Sequence, residues 1–226
     1  MGYPPVPYAA CFLPVERWRM NILFIIILLV VVFFIVYFAR LRAWQLRWGA
    51  TDEELTRPMP GDDIVAAPTF DATRAVTVNA APRDIFPWIV QMGVTRAGWY
   101  SYDLLDNLGR PSATTILPEC QPIKVDDLIA MSPDGKQGLY VKDFKPDEWI
   151  LWWDKNGVTS WAWGFYPVSE SQTRLVTRVR VKYNFLSLDM IFNLLIEFFD
   201  IIMMRKCMLG IKERAEKLAS DGKTED

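Results

Sequence analysis

The 226-residue chain contains no histidine. That absence excludes Ser-His-Asp and Cys-His catalysis, histidine zinc sites and imidazole acid-base chemistry. Cysteine is scarce, with Cys11, Cys120 and Cys207 too scattered for a thiolate metal site and too few for a disulfide framework. No glycine-rich phosphate loop and no internal repeat is present. No metal and no cofactor is therefore expected, and any catalysis would fall to carboxylates, tyrosines and lysines. Positive charge does not predominate either. The net charge is -2, and setting aside the five arginines and one glutamate of the first 50 residues leaves an excess of six acids. A nucleic-acid partner is disfavoured on that balance.

What the chain does have is one long apolar run. Ile22 to Phe38, "ILFIIILLVVVFFIVYF", carries no charge and no helix breaker. Seventeen residues at 1.5 Å rise span roughly 26 Å, enough to cross a hydrocarbon core. Trp18, Tyr37, Trp44 and Trp48 suit the interfacial aromatic belt, and Arg17, Arg19, Arg40 and Arg42 flank it. A cleaved signal peptide is the competing reading; the length of the run, a polar leader with two basic residues, and the lack of a small-x-small site before Arg40 argue against it. The organisation expected is an irregular leader over 1–20, a transmembrane helix over 21–39, a juxtamembrane linker over 40–70, a folded domain over 71–219 and a tail over 220–226. Arg40, Arg42 and Arg47 after the span outnumber Arg17 and Arg19 before it, which leans toward a single-pass protein of the cell membrane with a cytoplasmic C-terminal domain. Cys11 then lies across the membrane from Cys120 and Cys207.

Beyond the linker, "RAVTVNA" from Arg74 alternates with period two and reads as a strand. "PRDIFPWIVQM" places proline in a first helical turn, with Ile85, Ile89 and Met92 at helical spacing. A second short helix is expected over Ala97 to Gly109, closed by Gly109 and Pro111. In it Tyr102 and Leu105 would face a cavity, while Leu104 and Leu108 would grip a neighbour. Strands over "IKVDDLIAM", "GLYVKDF", "WILWWD", "TSWAWGFYPV" and "TRLVTRVRVKY" follow with turns between them, implying an antiparallel sheet. A long helix from about Leu186 to Ala219 ends the chain.

That order, together with "WGATDEE" at Trp48–Glu54, "AGWYSYDLLDNLG" at Ala97–Gly109, "ILPECQPIKVDDLI" at Ile116–Ile129 and "RKCMLGIKERAE" at Arg205–Glu216, resembles a membrane-anchored bacterial branch of the START-like superfamily. This superfamily is also described as helix-grip, SRPBCC, or polyketide cyclase/dehydrase and lipid transport. The resemblance covers roughly residues 47 to 219. It implies an α+β helix-grip fold in which a curved antiparallel sheet grips the C-terminal helix around an apolar cavity. It says little about activity, because members of one fold differ in function.

Aromatics are the positive signal. Trp161, Trp163 and Phe165 share one face of their strand, with Ser160, Ala162 and Gly164 on the other; they either fill a core or wall a cavity. On the last strand Arg174, Arg178, Arg180 and Lys182 alternate with Leu175, Thr177, Val179 and Val181, giving a basic face exposed either to solvent or to anionic lipid headgroups. On the terminal helix Asp189, Asn193, Glu197 and Asp200 share a stripe that continues as Met204, Cys207, Met208, Ile211, Ala215 and Leu218. If the helix is continuous, the acids point inward and Phe192, Leu195, Phe198, Phe199 and Ile202 point outward. Such an apolar face would meet the bilayer, the anchor helix or a second copy of the chain. If it breaks near Met203, the acids lie in water.

The function expected is a non-enzymatic, membrane-anchored binding or transfer domain for a lipid or another apolar small molecule. Trp99, Tyr102, Trp152, Trp161 and Trp163 would supply wall, and Tyr100, Asp103, Asn193 and Glu197 would orient a polar head. Two alternatives remain open: a cyclase-like or hydrolytic enzyme using Asp103, Glu197 and Tyr100, and a structural module that assembles in the membrane without a ligand.

Overall fold

A computed structural model describes residues 13–183 and 190–222, with side chains over 18–183 and 196–221. The chain divides into two compact units, Met1–Trp44 and Gln45–Asp226. The first contains helix α1 (Leu13–Val36), followed by a π-helical turn at Tyr37–Leu41. Its side chains from Ile22 to Phe38 are almost all exposed, and a helix of this length and composition is able to cross a membrane.

The second unit is α+β. After α2 (Arg42–Leu46) and α3 (Asp52–Thr56) come β1 (Phe70–Val78), α4 (Pro82–Val90), α5 (Asp103–Asp106), β2 (Leu128–Ala130), β3 (Gly138–Lys145), β4 (Trp149–Trp153), β5 (Thr159–Ser169), β6 (Gln172–Val181) and α6 (Met190–Gly222). The strands form one antiparallel sheet in the order β1-β6-β5-β4-β3-β2, so the first and last strands pair and the meander continues from them. This sheet and its long terminal helix are the helix-grip arrangement. α6 is unbroken through Met203, so the polarity inversion along it is real and its buried stripe runs through Glu197, Met204, Cys207, Met208, Ile211 and Ala215. Ile196, Phe199 and Ile202 are exposed on the other side. Ser220 to Gly222 continue the helix, where a tail was expected. Asp189 and the side chains of Phe192, Asn193 and Leu195 lie outside the described residues.

The principal core lies between sheet, α4 and α6, built from Ile85, Trp88, Ile89, Trp152, Trp163, Leu175, Met208 and Ile211. A smaller cluster covers the opposite face of the sheet: Met59, Ala75, Leu151, Ala162 and Val176. This second layer corrects the expectation of a linker over 40–70. From Gln45 onward the segment belongs to the body of the domain. Thr51 and Glu54 cap α3 reciprocally, each side chain accepting from the other's backbone N–H, at 3.2 Å and 2.8 Å. Met59 and Val65 are buried.

The same layer disposes of the basic face. Arg174 donates from Nε and Nη2 to the two carboxylate oxygens of Glu54, at 2.8 and 2.7 Å. Arg178 reaches Asp62 at 2.7 Å, Thr73 at 2.8 Å and the carbonyls of Glu54, Leu55 and Arg57. Arg180 pairs with Asp62 and Asp71. These three arginines face neither solvent nor lipid; they staple residues 51–71 to the sheet, and only Lys182 remains exposed. Bidentate arginine geometry is suited to this because one planar fork satisfies two acceptors at once.

Candidate functional site

An open cavity of about 390 Å³ lies between the 94–108 loop, the turn after β2, strand β5 and the stretch Asp200–Cys207 of α6. Its wall is mainly apolar. Trp99 and Trp161 stand stacked at 5.9 Å with planes 11° apart, and both line it. Period-two alternation on β5 aims Trp161 to this side, where its Nε1 donates to the Thr177 hydroxyl at 2.8 Å, fixing the ring. Trp152, its cross-strand partner, meets it edge to face at 5.1 Å. Trp152 and Trp163 are fully buried behind this surface and act as its backing rather than as its lining.

The loop that carries Trp99 is not the helix expected over 97–109. Gly98, Tyr100, Leu108 and Gly109 all have positive φ, at 82°, 57°, 55° and 74°, which no right-handed helix can contain. Only Asp103–Asp106 is helical. Leu104 and Leu108 therefore grip nothing; Leu104 is 81% exposed, and Tyr102 is also exposed and outside the cavity wall. Leu105 and Leu108 do border the cavity. The bend at Tyr100 is held from three directions. Its N–H donates to the Ser112 hydroxyl at 3.0 Å, its hydroxyl donates to the Trp88 carbonyl at 3.0 Å, and Arg214 lies 4.7 Å from its ring centroid. Its carbonyl meets α6 at Gly210, where an added Cβ would come within 2.2 Å of the oxygen. Burial pushes the Tyr100 phenol well above its ordinary range, so it is no base near neutral pH.

The expected polar groups do not gather in this cavity. Asp103 accepts from the N–H and hydroxyl of Ser112, at 3.1 and 2.5 Å, and with Tyr100 lines a second, more polar cavity of about 330 Å³ against Lys206, Arg214 and Lys217. Glu197 is buried and accepts from the Tyr183 hydroxyl. Asn193 lies outside the described side chains.

Two other carboxylates line the aromatic cavity instead: Asp106 and Asp200. Burial raises Asp106 above the usual carboxylate range, with the Ser101 hydroxyl pulling partly the other way and Asp103 adding to the rise. Asp200 is held 2.7 Å from Arg74, whose side chain is wholly buried and whose Nε donates to the Gln45 carbonyl at 2.8 Å. Cys207 also lines the cavity, but burial pushes its thiol far above the ordinary value, leaving it an inert wall group. Among the described residues no cluster of acids or cysteines is arranged to hold a metal ion. Helical spacing had placed Asp200 on the inward stripe. Asp106, flanked by exposed leucines, gave no comparable signal.

No family model matches the chain, and no curated protein does. Among solved structures it is similar to protein CV1439 from Chromobacterium violaceum, with 12% identity over 65% of this chain and 96% of that one and a TM-score of 0.37. It is likewise similar to TTHA0849 from Thermus thermophilus, with 12% identity over 64% and 96% and a TM-score of 0.33. A third is the polyketide-cyclase-like protein Cgl2372 from Corynebacterium glutamicum, with 12% identity over 69% and 92% and a TM-score of 0.32. The helix-grip assignment rests on the sheet order and on α6 packed across the sheet.

Proposed function

We propose that this protein is a membrane-anchored binding or transfer domain for a lipid or another apolar small molecule, held between the sheet, the 94–108 loop and α6. The observation that carries the reading is the Trp99–Trp161 stack facing an open, mainly apolar cavity of about 390 Å³. That volume lies within the range of small-molecule sites, and stacked indoles offer large rigid apolar surface. Helix α1 supports the anchor, with the domain on the cytoplasmic side by the arginine balance. Exposed Ile196, Phe199 and Ile202 support an apolar contact of α6 with the bilayer or with a second copy. The acid-base reading built on Asp103 and Glu197 lacks the convergence that a shared substrate atom requires.

Native mass spectrometry of the full chain extracted in detergent tests the reading. The wild type should carry a small-molecule adduct that is lost in Trp161→Ala while the variant keeps its thermal unfolding transition. A wild type without adduct, whose tryptophan fluorescence is also unmoved by titration with 1-octanol, would overturn it.

A further inference from the structure

The cavity is apolar but not neutral. Among the described residues its charged lining groups are Asp106 and Asp200, and no lysine or arginine reaches it. The buried cation Arg74 pairs with Asp200 and donates to the Gln45 carbonyl. Asp106 has no ion-pair partner among the described residues, and its buried Oδ1 accepts no hydrogen bond from them. The basic groups on the far side of Tyr100, namely Lys206, Arg214 and Lys217, line the second cavity, and Arg214 donates to the carbonyls of Ala113 and Gly210. A carboxylate without a counter-ion among the described residues therefore shares one partly desolvated space with the Trp99–Trp161 pair.

From this arrangement we propose that the cavity selects an apolar molecule bearing a positively charged nitrogen, an amine or a quaternary ammonium, which Asp106 pairs and an indole ring of the stack covers. This inference rests on the reading of the cavity as a ligand site and adds the class of ligand. Indole faces carry negative potential and attract cations, more so where water is excluded. A carboxylate raised by burial regains its charge when a cation enters, so ligand and acid stabilise each other's ionised forms. An anionic amphiphile meets the opposite: repulsion from Asp106, with no lysine or arginine among the described residues of the wall to compensate. An uncharged one gains the apolar contacts alone.

The test uses three probes with the same eight-carbon chain: octyltrimethylammonium, 1-octanol and octanoate. Each is titrated below its micelle concentration against the full-length protein in maltoside micelles, with tryptophan fluorescence as readout. Comparison of wild type with variants in the same micelles cancels partition into detergent. The ammonium probe should bind at least tenfold more tightly than octanoate. Asp106→Asn should remove most of that preference while leaving octanol binding within twofold, and Trp161→Ala should weaken all three. Equal binding of ammonium and octanoate, or a preference untouched by Asp106→Asn, overturns the inference while leaving the cavity a ligand site. Failure of all three probes to bind overturns the cavity reading and the inference with it.

Discussion

Arg74, with no exposed surface, lies 2.7 Å from the carboxylate of Asp200, joining the middle of β1 to the first half of α6. Removing one member of such a pair leaves the other charge buried without compensation, whereas replacing both with apolar groups of similar volume does not. Asp200→Ala should therefore lower unfolding free energy by about 3 kcal/mol, and the double variant Arg74→Met, Asp200→Leu should recover most of it. Denaturant unfolding in detergent measures both. Equal destabilisation of the single and double variants would show that the pair itself, not the orphaned charge, carries the effect.

Glu54 gives the fold an acid-side sensitivity. Burial alone would raise its pKa, but the Arg174 hydrogen bonds and charge, with those from Thr51, hold it below the ordinary 4.5. A depressed folded pKa contributes stability that is present above the unfolded value and lost as pH falls through the folded one. Wild-type Tm should thus drop more steeply than that of Glu54→Gln as pH falls below about 4.5. Parallel Tm curves for the two proteins would sink the assignment.

Asp106 has the opposite sign. Its folded pKa is raised, chiefly by burial, so its contribution is fully present when the group is protonated and is lost as pH rises through the folded pKa. Asp106→Asn should be more stable than wild type at pH 7, and the difference should shrink as pH approaches the ordinary carboxylate range. Thermal melts across the pH series decide it, a constant offset being the contrary outcome.

At Gly210 the obstacle is backbone. A Cβ there would lie 2.2 Å from the Tyr100 carbonyl oxygen, and neither loop nor helix can yield by a simple rotamer change. Gly210→Ala should cost about 2 kcal/mol or more, in the range of overpacked cores. It should also alter tryptophan fluorescence, because the loop carries Trp99. An unperturbed Tm would show that the loop moves freely.

Three residues of the basic face, Arg174, Arg178 and Arg180, take acids from the 51–71 segment. A truncation beginning at Asp71 should leave Arg174 and Arg178 unpaired, expose the Leu151–Val176 cluster and fail to give a folded monomer by size exclusion and circular dichroism. A cooperative unfolding transition from that fragment would contradict this.

Most of the fold could be read from sequence because its signals are local. Alternation across Trp161 to Phe165 requires only the pleat, and the inward stripe of α6 requires only 3.6 residues per turn. What escaped depended on distant partners. The arginines of β6 look like a solvated face until Glu54, some 120 positions away, is set against Arg174. In the 97–109 stretch Gly98 and the scarcity of strong helix formers argue against the short helix expected there; the contacts of Tyr100 with Trp88, Ser112 and Gly210 that hold the bend are distant and carry no local signal. Trp99 and Trp161 were recognisable as large apolar groups near the sheet, but their stacking needed the bend.

The meeting of Tyr100 with Gly210 also sets how far the rim of the cavity can move. With the carbonyl seated on the bare Cα, and Ser101 donating to the Met203 carbonyl at 3.0 Å just beyond it, α6 can neither roll about its axis nor slide past the loop without breaking both contacts. The rim of the cavity thus has a fixed post at residues 100–101. Beyond that post Asp103 is tied to the N–H and hydroxyl of Ser112, and Leu104 stands in the open.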